Sequence, residues 1–187
     1  MRLPDLHKLE PADQQALLLG RIGMEAVRME VALRFLHSVL AGHRDFESYL
    51  DAPPFFSDTA KECMAMIREN TSLIGEERRA IHRAVKIARG LYSRRNRFVH
   101  DFLRVSLADR SQWELAPVAR LADSVPDAVP TNPEAMVDFI RDLVAGAYRL
   151  RAAAMYLMVD DESLWEDGLF GHLNGQWDGS VESVMAS

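Results

Sequence analysis

Cysteine is nearly absent: Cys63 is the only one in 187 residues. That excludes an intramolecular disulfide framework and fits a reducing compartment. Long hydrophobic runs are missing too, and no stretch reaches the ~18 apolar residues that a membrane span requires. Met1 to Glu10 is polar, with Pro4, Asp5 and Glu10. It has no apolar segment of the kind a secretory signal carries, so the expected location is cytoplasmic. The chain contains no Gly-rich phosphate loop, no HExxH, no paired CxxC and no EF-hand loop. His7, His37, His43, His82 and His172 are scattered and suggest no metal cluster. Neither a metal nor a cofactor is expected.

What is present is hydrophobic content of 48%, enough for a real core in one domain or one domain plus an appendage. The net charge of −6 argues against a protein coated in nucleic acid, but it is unevenly spread. Between Glu76 and Arg104 stand nine basic and three acidic residues, a surplus of six positive charges, so the remainder carries −12. A basic ridge on an acidic body focuses anionic ligands locally.

Apolar periodicity near 3.6 predicts four principal helices. Pro11 and Asp13 open the first, which runs to about Ala41 with a stripe of Leu18, Ile22, Met29, Ala32, Leu33, Leu36 and Leu40. Gly20 and Gly23 lie early in it, where they would admit a close helix crossing. A short helical segment is expected over His43–Leu50, and Asp51-Ala52-Pro53-Pro54 breaks the chain. Ser57 and Asp58 supply an N-cap signal for a second helix to about Asn70, burying Ala60, Cys63, Met64 and Ile67. A third helix spans Glu76 to Arg104. Val105-Ser106-Leu107 and Trp113-Glu114-Leu115 are short alternating runs that suggest a hairpin. Pro117, Pro126 and Pro130 predict an irregular stretch after it. Thr131-Asn132-Pro133-Glu134 then opens a last helix to about Met158. The expected fold class is all-α: an up-and-down bundle of about four helices, with a short irregular or hairpin excursion before the last. Residues 1–159 would form the domain. Residues 160–187 form a tail with seven acids and no Lys or Arg. It would be disordered, or it would dock over the basic ridge by its aromatic residues.

The third helix carries an anomaly. Ile81, Ala84, Val85, Ala88, Leu91, Val99 and Phe102 make an apolar stripe, and Arg95 falls in the middle of it. An inward arginine is costly unless it is paired or meets a cavity or a partner. Glu25, on the apolar stripe of the first helix, is the best candidate to meet it, with Glu30 second. Asn96 and His100, four apart, share one face at the stripe's border, while Arg94 and Arg97 fall on the polar side.

The run Arg95-Asn96-x-x-x-His100 resembles the Arg-x4–6-His motif of HEPN-domain proteins, in which a polar residue, often Asn, follows the arginine. The context is similar over residues 11–159: a long first helix, a basic helix ending in Arg-Asn-Arg-Phe-Val-His-Asp, a short excursion, then another long helix. Arg2 and His7 share the bare spacing, but they include Pro4 and lie on no amphipathic helix. The resemblance implies a homodimer whose two motifs face each other. Many such proteins are metal-independent endoribonucleases of phage defence, toxin–antitoxin or stress systems. It also implies RNA as substrate and an antitoxin or regulatory protein among the partners. Histidine can serve as base or acid near neutral pH, and a guanidinium fork suits a phosphorane's oxygens. On that reading Arg95, Asn96 and His100 are catalytic, and Arg94, Arg97 and Lys86 contact the RNA backbone. The alternative is a non-catalytic helical dimer that binds nucleotide, RNA or a protein partner, with Arg95 structural.

Overall fold

A computed structural model describes residues 6, 8–43, 47–100, 102–105, 113–116, 129–130 and 132–158; residues 47, 49, 99, 100 and the strand segments are described by their backbone alone. Four helices build it: α1 (Pro11–Leu40), α2 (Phe56–Glu69), α3 (Gly75–His100) and α4 (Pro133–Met158). A 3-10 helix, Glu47–Asp51, lies between α1 and α2. The bundle is all-α. In cross-section α1 packs on α2, α2 on α3, α3 on α4, and α4 closes the ring on α1 along its length. Among the described residues no helix is long and apolar enough to cross a membrane.

The 3.6-residue stripes decide which face turns inward. From α1, Leu18, Ile22, Met29, Leu33 and Leu36 are buried, and from α4, Met136, Ile140, Leu143 and Leu150. α3 contributes Ile81 and Val85, with Ala80, Ala84 and Ala88 as small residues that let its neighbours approach closely. Cys63 is part of this core, and burial pushes its thiol up to about 12. Leu6, ahead of α1, is also buried in this core.

Capping chemistry sets several boundaries. Asn132 accepts from the Ala135 N–H at 2.8 Å, which starts α4 at Pro133. Glu77 accepts from the Ile74 N–H at 2.7 Å at the head of α3, and the Tyr156 hydroxyl bonds its other oxygen. α2 departs from expectation: Phe55 is its N-cap, and no side chain caps it. Thr59 Oγ1 donates toward the Pro53 and Phe55 carbonyls at 3.1 and 3.2 Å. The helix thus begins before Ser57 and Asp58.

Two further expectations are corrected. The third helix ends at His100, not Arg104, because Phe102–Val105 forms strand β1. This run is β-branched and aromatic enough to pair when a partner is at hand. The partner is β2 (Trp113–Ala116), antiparallel, with Phe102 opposite Ala116 and Val105 opposite Trp113. The hairpin therefore forms a few residues earlier than the alternation suggested. β3 (Val129–Pro130) adds to β2, and its proline is tolerated at the sheet's edge. The close helix crossing is the other correction. A Cβ at Gly20 or Gly23 would meet nothing within 4 Å, whereas one at Gly146 would lie 2.9 Å from Leu91 Cδ1 and 3.1 Å from Met29 Sδ. Gly146 is where α4 lets α1 and α3 close in. The acidic tail lies outside the described residues.

Candidate functional site

The C-terminal half of α3 differs from its core-facing beginning. From Leu91 to Arg97 no side chain is fully buried, and only Phe98 returns to the core. Arg95 stands half-buried in this stretch. Its Nη1 donates to Asn96 Oδ1 at 3.2 Å, and its guanidinium lies over the Tyr92 ring, 5.4 Å from the centroid. Its Nε is buried and has no hydrogen-bond partner among the described residues. A cation with a buried free donor retains hydrogen-bonding capacity that the fold has not used.

Glu25 does not meet Arg95. Its buried carboxylate is held within α1, by Arg21 Nε at 2.8 Å and Arg28 Nη1 at 3.0 Å. The spacings i−4 and i+3 place both arginines beside it, and their aliphatic stems let the charged heads stay near solvent. Glu30 comes nearer to the motif. It pairs with Arg34 at 3.2 Å and accepts from the Tyr92 hydroxyl at 3.2 Å, so it reaches Arg95 only through the tyrosine. Burial pushes the Tyr92 hydroxyl above its ordinary pKa, the Glu30 carboxylate adds to the rise, and Arg95 opposes it.

The remaining basic residues sort by exposure. Arg94 is not a solvated surface charge. Its guanidinium sits 4.6 Å from the centroid of the buried Phe139 ring, which stacks on Phe98. Burial raises the pKa of Asp142 nearby, and Arg94 pulls against that rise. Arg97 is half-buried and partnered. Lys86 is exposed, as is Arg89. His100 is the last residue of α3, and its side chain lies outside what is described. By helical spacing, residues 89, 93, 96 and 100 form one row, about 16 Å long at 1.5 Å per residue.

Arg89, Ser93 and Asn96 of that row border a cleft of about 470 Å³. Arg89, Tyr92, Ser93, Arg95 and Asn96 line it from α3; Pro54, Phe55, Phe56 and Ser57 line it from the start of α2. Phe56 stacks on Tyr92, with centroids 3.9 Å apart and planes 4° from parallel, and this fixes the wall. Phe55 is left 68% exposed at the edge. Sequence reasoning found Arg95 and Asn96 but missed the cleft's other wall. The available signal was the tandem Phe55-Phe56 after Pro53-Pro54. Among the described residues no group of three or more His, Cys, Asp or Glu is placed to hold a metal ion. The arrangement can bind an anion through two guanidinium groups and an amide, and can stack a planar ring.

Comparison with protein-family models, with curated proteins and with solved structures gives no match.

Proposed function

We propose that the protein is a homodimeric, metal-independent endoribonuclease of HEPN type, acting in phage defence, a toxin–antitoxin pair or a stress response. The observation that carries the reading is Arg95: a half-buried cation bonded to Asn96, with a free buried donor, beside an open cleft. The inward arginine pairs with neither Glu25 nor Glu30, so an ion pair with α1 does not account for its position.

In this reaction His100 takes the proton of an RNA 2′-hydroxyl. The freed oxygen attacks the adjacent phosphorus, and the bond from phosphorus to the 5′-oxygen breaks. The partner subunit's His100 gives a proton to that 5′-oxygen. The products are a 2′,3′-cyclic phosphate and a 5′-hydroxyl. Arg95 offsets the charge that builds on the phosphorane, and Asn96 holds the guanidinium in place. Lys86 and Arg89, both exposed on α3, attract the RNA backbone. Arg94 and Arg97 contribute field more than contact, because both are already engaged in the fold.

The test incubates wild type and His100→Ala with total RNA in EDTA and examines the new ends. Cutting that survives EDTA, leaves cyclic phosphate and is lost in the variant is the expected result. Cutting by both proteins would remove His100 from the mechanism. No cutting by either, at concentrations where sedimentation shows a dimer, would favour the non-catalytic binding module.

A further inference from the structure

The cleft between the start of α2 and the C-terminal half of α3 combines two kinds of recognition group. Phe55 presents a largely exposed ring with no aromatic partner among the described residues. Burying such a ring against a planar ligand is favourable, and Phe55 is the N-cap of α2, next to Phe56, which stacks on Tyr92. Opposite it, Arg89 and Arg95 bring two positive charges to the same space, and Asn96 adds an amide. The uncapped start of α2 adds a partial positive charge on the Phe55 side. An aromatic platform facing a pair of guanidinium groups suits one nucleotide, with its base on the ring and its phosphate on the cations. The volume fits a single nucleotide and is too small for a paired duplex.

We infer that this cleft is a subsite for one unpaired nucleotide of single-stranded RNA, its base stacked on Phe55 and its phosphate held by Arg89 and Arg95. The inference rests on the endoribonuclease reading for its ligand class and extends it. Arg95 and Asn96 of the motif themselves line the cleft, which makes the subsite continuous with the motif. The nucleotide it holds is therefore a neighbour of the scissile phosphate. The protein would select unpaired RNA because a base inside a duplex cannot leave its stack to reach Phe55 without an unpairing cost.

The experiment measures equilibrium binding by fluorescence anisotropy, using full-length His100→Ala protein so that the RNA stays whole. The probes are a labelled unstructured RNA 12-mer and the same strand annealed to its complement. Phe55→Ala should weaken single-strand binding about tenfold, leave duplex binding unchanged, and be restored by Phe55→Trp. Arg89→Ala should weaken single-strand binding and lower the salt slope by roughly 0.7. An unchanged affinity in Phe55→Ala, or an equal loss for duplex and single strand, would overturn the subsite. Displacement of the 12-mer by micromolar AMP would also overturn it, in favour of a free-nucleotide site. Phe55 is exposed, so its removal should leave the thermal midpoint in place and the comparison clean. The outcome is separable from the cleavage test. Phe55-dependent binding without any cutting by wild type keeps the subsite and removes the nuclease; cutting without Phe55-dependent binding does the reverse.

Discussion

On α1 Glu25 is 1% exposed, and two arginines of its own helix hold its carboxylate. On α3 Arg95 also interrupts an apolar stripe, yet it stands half-buried, with one amide acceptor, one ring beneath it and a buried Nε left free. Both are charges where hydrophobic residues would pack. The first is closed: its partners come from one turn either side, and nothing further is required of it. The second faces a cleft. An inward charge matched by local partners is a structural device, and one left short of partners beside open space is a candidate for chemistry.

The largest expected effect tests the closed side. Replacing both Arg21 and Arg28 by alanine leaves the Glu25 carboxylate buried without a cation, which should cost ~3–5 kcal/mol in chemical denaturation. The matching change on the open side is Arg95→Met, which keeps volume and removes charge. Stability should move by no more than ~1 kcal/mol, since only the contact with Tyr92 and one hydrogen bond are lost. RNA cleavage under the proposed mechanism should fall by about 10²–10³. If Arg95→Met unfolds the protein as the double arginine variant does, the two charges are of one kind and the contrast fails.

Gly146 links the two regions. Met29 is one turn beyond Glu25, Leu91 one turn before Arg95, and both would touch a Cβ at residue 146. Gly146→Ala should cost ~1–3 kcal/mol in thermal or denaturant unfolding. Combined with Leu91→Ala, the loss should be smaller than the sum of the two single losses, because the second change makes room for the first. Strict additivity would show that α4 does not couple the regions.

The smallest effect sharpens the electrostatics around Arg95. Tyr92 is already raised by burial and by Glu30, with Arg95 pulling down. Removing the cation in Arg95→Met should move the Tyr92 ionisation further up, read by phenolate absorbance against pH with Tyr92→Phe as the blank. A raised phenol pKa favours the neutral ring in the folded state, so stability is retained below the ordinary tyrosine pKa and lost as pH rises through the folded value. The variant should carry that loss to higher pH. A shift in the opposite direction would mean that the Arg95 charge does not act on the ring.

Much of this architecture is legible in the sequence, for a physical reason. α1, α4 and the first half of α3 bury stripes that recur every three to four residues, and that pattern is local. The end of α3 is less so. Phe102 continues the helical stripe and Val105 closes a strand-forming run, so a distant segment, Trp113–Ala116, decides between them. Glu25 shows the opposite failure. Its partners at i−4 and i+3 are local in the sequence, so an inward carboxylate need not reach across the core toward Arg95. The cleft could not be read locally at all, since Phe55 and Arg95 are forty residues apart and meet only through packing of α2 on α3. Arg94 and Arg97 look solvated on a helical wheel, but the neighbouring helix turns a polar face into an interface, as Phe139 does beneath Arg94.

Cys63 has a practical consequence. The chain's one thiol is sealed in the core, and its high pKa keeps it protonated and unreactive at neutral pH. A cysteine introduced on the surface would be the single site open to a maleimide dye, with no need for a cysteine-free background. Phe55→Cys would set a fluorophore at the edge of the cleft, and Lys86→Cys would set one farther along α3. Each labelled protein would report by energy transfer how close two copies come and whether adding RNA changes the distance. The residue that excludes a disulfide framework thereby leaves the surface clear for an optical ruler.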